Sequence, residues 1–84
     1  MYYIYIIKSP KTGKLYKGYT TNLKKRLIEH NSGKTTSTKN GTPWQIIYYE
    51  VFANKTDALR EEKFLKSGKG KERIKFLLKG TLGK

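Results

Sequence analysis

Five side chains stand where their types and spacing could carry chemistry: Tyr5, Tyr16, Arg26, His30 and Glu62. Leu23, Arg26, Leu27 and His30 fall at i, i+3, i+4 and i+7, so a guanidinium and an imidazole stand one helical turn apart on a stripe shared with two leucines. Each has a plainer reading. The arginine stem can lie on apolar surface with its head in water, and the histidine can sit at a helix C-terminus, satisfied by a backbone carbonyl and the helix dipole. Glu62 is four residues after Ala58 and three before Leu65, near the middle of the inward face that Ala58, Leu59 and Leu65 define, with Glu61 nearer its edge. A carboxylate there is costly unless it is paired, protonated or bound to a cation. A salt bridge with Arg26 or a lysine and a role in metal binding are both open.

The elements that must position these groups can be read along the chain. Tyr2 to Ile7 is aromatic and β-branched without alternation, which fits a strand covered on both faces. The Pro10 and Gly13 reversal and the run Leu15 to Tyr19 make the first nineteen residues a hairpin, with Tyr5 and Tyr16 on facing strands. A buried phenol needs a partner, so the two could converge with His30 or a water. Gly18 inside a strand suggests a bulge, a strand end or a close approach of another backbone or a ligand. Leu23, Leu27 and Ile28 recur at helical spacing between the caps at 20–22 and the stop at Gly33, giving a first helix over about 23–31. Residues 33–43 are polar and aperiodic, a loop whose Lys34 and Lys39 suit phosphate. Trp44 to Phe52 reads as a third strand, with Trp44 plugging one end of the core. A second helix runs from a cap at Asn54 or Thr56 through about Ser67. A basic break over 67–70 then precedes a short third helix, Lys71 to Leu78, and a tail from Gly80 expected to fray. The resulting fold class is α+β: a three-stranded antiparallel sheet flanked by helices, in the order β-β-α-β-α-α, as a single domain over 1–84.

Composition narrows the partners. The 84 residues carry 19 Lys and Arg against 6 acids, a formal net charge of +13, which points to a polyanion such as nucleic acid. The charge is spread over every segment, as suits contact with a phosphate backbone more than base readout; Lys17, Lys24, Lys34, Lys39, Lys66 and Lys69 are the candidate phosphate contacts. With no cysteine and one histidine, disulfide frameworks, thiolate zinc and histidine metal clusters are excluded. The longest apolar run, Tyr2 to Ile7, is far short of the ~20 residues of a membrane span, so a cytoplasmic protein with no membrane partner is expected. No nucleotide-binding or zinc motif occurs.

Two tyrosine motifs, Tyr3-Ile4-Tyr5 and Tyr16-Lys17-Gly18, the run Thr20-Thr21-Asn22-Leu23, Arg26 with His30-Asn31 and Gly33, and Glu62 within Ala58-Leu59-Arg60-Glu61-Glu62 together resemble the GIY-YIG nuclease domain, in particular its small single-domain members of the UPF0213-like group. The likeness covers nearly the whole chain. The resemblance implies metal-assisted hydrolysis of phosphodiester bonds in nucleic acid, DNA or RNA; with the diffuse charge, recognition of structure or charge rather than sequence is expected. The resemblance also implies one Mg²⁺ or Mn²⁺ held by Glu62, Arg26 on the scissile phosphate, and Tyr5 as general base with Tyr16 and His30 around it. Two departures are visible: Tyr3 stands where the family name has glycine, and no asparagine follows the glutamate helix. Many members also take specificity from a second domain, so weak stand-alone activity and a protein partner that supplies targeting are expected. The alternative is a catalytically weak or inactive nucleic-acid-binding module on the same fold.

Overall fold

A computed structural model describes residues 1–83. Strand β1 (Tyr2–Lys8) forms the centre of a three-stranded antiparallel sheet, between β2 (Leu15–Thr20) and β3 (Gln45–Phe52). Its central position explains its composition: Ile4 to Ile7 are buried on both faces, because helices lie on both sides of the strand. Tyr5 and Ile7 face α1 (Leu23–Asn31), packing with Trp44, Tyr16, Leu23, Leu27 and Ile46. Ile4 and Ile6 face the other way, onto Ala58 and Leu65 of α2 (Lys55–Leu65) and Ile74 of α3 (Gly68–Leu77). The order β-β-α-β-α-α and the α+β class are as the sequence implies.

Local signals fix the element ends. Gly13 takes φ +76° in the reversal between β1 and β2, where the Ser9 amide donates to the Lys14 carbonyl at 3.0 Å and closes the turn. Side chains of Asn22, Asn54 and Ser67 accept from the backbone amides of Lys25, Asp57 and Gly70 and cap the three helices.

Helix α3 begins three residues earlier than the sequence suggests, and α2 ends at Leu65 instead of about Ser67. The two glycines read as a break lie inside α3. A Cβ at Gly70 would collide with the Phe64 carbonyl oxygen and come within 2.6 Å of the Leu65 Cα, so glycine here permits the close α2–α3 approach. Two apolar residues expected to face inward are instead exposed, Leu59 and Ile28. The polar stretch 33–43 is partly built into the protein. A short 3₁₀ turn at Lys39–Gly41 carries Gly41 under the Trp44 ring, and Thr38 is buried. After α3 the Leu82 amide donates to the Leu78 carbonyl at 2.8 Å and Leu82 packs on the core; the expected frayed tail extends to Lys84, which lies outside the described residues. Among the described residues no helix is long and apolar enough to cross a membrane.

Candidate active site

The stripe on α1 points where its spacing implies. Leu23, Arg26 and Leu27 are partly buried and His30 is fully buried, all against the sheet face that carries Tyr5. The Tyr5 hydroxyl lies 2.8 Å from His30 Nε2, and Arg26 Nε–H donates to the same hydroxyl oxygen at 3.3 Å. On the other side of the imidazole, Nδ1 lies 2.8 Å from Thr38 Oγ1. The Thr38 hydroxyl donates onward to the Thr35 carbonyl at 3.4 Å, so its oxygen is left to accept from His30. That assigns the Nδ1–H tautomer to His30, with the Nε2 lone pair facing the phenol O–H. The result is one directed chain: guanidinium to phenol, phenol to imidazole, imidazole to threonine.

Burial is the main influence on both titrating members. It pushes the Tyr5 phenol above its ordinary 10.0, against the pull of the Arg26 hydrogen bond and charge, and the nearby Tyr16 and Glu62 push in the same upward direction. It holds the His30 imidazole below its ordinary 6.5, and the Arg26 charge adds to the effect. A neutral phenol beside a neutral imidazole is therefore the resting state near neutral pH.

Gly18 makes room for this arrangement. It pairs with Tyr5 across the β1–β2 ladder, and a Cβ at Gly18 would run into the Tyr5 hydroxyl. The strand runs through Gly18 without a bulge, and what comes close there is neither another backbone nor a ligand but the phenol of the facing strand. Tyr16 converges on the same imidazole through its ring, edge-on at 4.9 Å between centroids, with no hydrogen bond to it.

Arg26 is held twice. Besides its bond to Tyr5, Nη1 donates to Glu29 Oε1 at 3.0 Å, which leaves Nη2 without a partner among the described residues. Glu62 is 22% exposed and accepts from Lys66 Nζ at 3.1 Å one turn on, so its pairing is with a lysine and not with Arg26. It is near enough to Tyr5 to oppose loss of the phenolic proton. Among the described residues no group of three His, Cys, Asp or Glu side chains could hold a metal. A part-exposed carboxylate fits a hard cation that keeps most of its ligands as water and phosphate oxygens, the usual habit of Mg²⁺. Glu61 turns away from this site. Its carboxyl is raised by burial and by the neighbouring Glu50 carboxylate, which accepts from Tyr48 at 2.7 Å, a polar cluster at the rear of the sheet.

The candidate phosphate lysines are distributed unequally. Lys24 lines a groove on the Tyr5 face of the sheet, and Lys34 lies close enough to Glu29 to lower its carboxyl. Lys66 pairs with Glu62, Lys39 opens the 3₁₀ turn, and Lys69 lies in the first turn of α3. Lys17 points to the rear. Its ammonium donates to the Leu65 carbonyl at 3.4 Å, where burial and the neighbouring Lys71 and Lys66 lower its pKa. Two supporting residues carry no signal of their role in sequence. Thr38 lies in an aperiodic loop, and Asn31 clamps the backbone of Trp44, accepting from its amide and donating to its carbonyl at 3.1 Å. Glu29, in contrast, is three residues from Arg26 and could have been found by helical spacing.

With this geometry in view, comparison with known proteins is specific. The GIY-YIG catalytic domain matches residues 1–75. A UPF0213 protein of Staphylococcus saprophyticus is 39% identical over 80 residues, covering 94% of this chain and 96% of that protein. A UPF0213 protein of Pediococcus acidilactici is 47% identical over 66 residues, 75% of this chain and 67% of its own. The solution NMR structure of a UPF0213 protein from Bacillus halodurans superposes with a TM-score of 0.56 at 33% identity, covering 92% of this chain and 85% of that one. A match over nine-tenths of the sequence that includes both tyrosine strands and the arginine, histidine and glutamate helices settles the ancestry: the chain belongs to the GIY-YIG family of nuclease domains.

Proposed function

We propose that the protein is a divalent-metal-dependent endonuclease that hydrolyses phosphodiester bonds in DNA or RNA, acting in the cytoplasm on structure or charge and not on sequence. The observation that carries this reading is the chain Arg26–Tyr5–His30–Thr38, with Glu62 near enough for its charge to act on the phenol. Hydrolysis of a phosphodiester requires that the attacking water lose a proton and that charge building on the phosphoryl oxygens be neutralised. Tyr5 would serve the first task. Because its phenol is held above its ordinary pKa, a standing phenolate is scarce near neutral pH. The proton therefore moves in relay: the phenolic O–H passes to His30 Nε2 as the tyrosine oxygen takes a proton from water. His30 suits the receiving role, since its other nitrogen already donates to Thr38 and its lone pair faces Tyr5. Arg26, oriented by Tyr5 and Glu29, keeps Nη2 for the phosphate. Glu62 would hold the Mg²⁺ or Mn²⁺, whose contribution when bound is to polarise the phosphoryl group and stabilise the leaving oxygen.

Two intramolecular pairings favour slow turnover by the isolated chain. Glu29 offsets part of the charge that Arg26 presents to the phosphate, and Lys66 shares Glu62, so the metal must compete with that ion pair. A panel of single-stranded, duplex, flapped and branched DNA and RNA, incubated with Mg²⁺, Mn²⁺ or EDTA, tests the proposal. Cutting that needs metal and disappears in Glu62→Ala supports it; binding without cutting in every condition would reduce the protein to a nucleic-acid-binding module.

A further inference from the structure

On the sheet face that carries Tyr5, the register sets Tyr49 directly beside it on β3, and Tyr3 lies two residues before it on β1. The rings of Tyr3 and Tyr49 meet at 6.3 Å between centroids, tilted by 50°. With Thr21, Asn22, Leu23 and Lys24 they line a groove of about 480 Å³, within the ~300–1,000 Å³ range of ligand clefts. Tyr49 is 52% exposed, whereas the core on this side of the sheet is closed by Tyr5, Ile7 and Trp44. The aromatic pair is thus not needed to fill that core. No acid lines the groove, and its one charged residue is Lys24.

We propose that this groove is a subsite for an unpaired nucleobase, which stacks on the open face of Tyr49 while Tyr3 braces that ring and Lys24 takes an adjoining phosphate. The inference rests on the nuclease reading of the neighbouring Tyr5 and Arg26 and names its substrate class: a single strand, or a single-stranded flap, laid along the sheet past Tyr5. The tilt and spacing of the two rings leave no slot between them, so the base lies on the outside of Tyr49. Stacking of this kind tolerates any base, since each has a π-face, and it distinguishes unpaired from paired strands because a paired base is already stacked on its neighbours. Positive charge alone would give no such distinction, because a duplex offers at least as many phosphates.

The test is binding of the intact chain, in EDTA so that nothing is cut, to single-stranded and duplex DNA of one sequence with 2-aminopurine placed at successive positions. The expected result is preference for the single strand and quenching of the probe at one or two adjacent positions. Tyr49→Ala and Tyr49→Leu should both abolish the quench and weaken single-strand binding by about tenfold, while Tyr49→Phe keeps both and duplex binding hardly changes. Tyr49→Leu retains apolar bulk, so loss in that variant reports the π-face and not the fold. Equal affinity for both strand forms, indifferent to all three substitutions, would overturn the subsite and leave the nuclease proposal standing. Failure to bind any nucleic acid would overturn both.

Discussion

The phenol of Tyr5 occupies the space that a side chain on Gly18 would fill. The two residues face each other across the β1–β2 ladder, and this lack of a Cβ allows the ring to lie over the neighbouring strand with its hydroxyl between Arg26 Nε and His30 Nε2. A glycine that weakens a strand is here the condition for assembling the candidate site.

Gly18→Ala should therefore damage the site more than the fold. The added methyl displaces a buried, doubly hydrogen-bonded ring, at a cost of ~1–3 kcal/mol in urea unfolding. Cleavage should fall by at least about tenfold, as expected when a proton-transfer group is misplaced. A variant that cuts as fast as the parent would show that the position of Tyr5 does not depend on this glycine.

Thr38 fixes the tautomer of His30 and acts only through it. Thr38→Val keeps the shape but leaves a buried imidazole N–H without an acceptor, costing ~1–3 kcal/mol. Thr38→Ser should recover both stability and cleavage. The readout that separates positioning from packing is the ¹⁵N spectrum of the imidazole: the parent and the serine variant should show the Nδ1–H tautomer, the valine variant a mixture.

His30 also sets a pH dependence. Its folded pKa lies below the ordinary 6.5, so the unfolded chain binds more protons than the folded one between those two values. The stability that His30 contributes is complete above about 6.5 and is lost as pH falls through the lowered value. Unfolding free energies of the parent and His30→Gln, measured from pH 8 to pH 4, should converge on the acid side. A difference constant across that range would refute the buried neutral imidazole.

Gly70 makes the opposite prediction to Gly18. A Cβ there meets the backbone of Phe64 and Leu65, so Gly70→Ala must separate α2 from α3 and should destabilise by ~3 kcal/mol or more. Glu62 moves only if α2 itself shifts. Cleavage well below the unfolding midpoint should therefore stay within about twofold of the parent, which a urea titration run beside the cleavage assay will check.

Helical spacing and residue type carry much of this arrangement. Arg26 and His30 share an apolar stripe on α1, Glu62 lies between Ala58 and Leu65, and the unbroken run of β1 implies cover on both faces; the structure places them so. Inference fails where tertiary contacts act alone. Thr38 reaches His30 from a loop with no period, and the glycines of 67–70 look like a break because nothing local records that α2 must pass within van der Waals contact of α3. Leu59 and Ile28 show the limit of wheel arithmetic: apolar residues beside an inward stripe can still lie outside the contact.

The account turns on the hydroxyl of Tyr5. Tyr5→Phe removes that single oxygen from a buried site and keeps the ring over Gly18. Its single-turnover cleavage with Mn²⁺, on the best substrate of the panel, measures what that hydroxyl contributes. A loss of about 10²–10⁴-fold, with nucleic-acid affinity unchanged, is the predicted result. Cleavage at the parental rate would contradict the assignment of the proton relay to Tyr5 and His30.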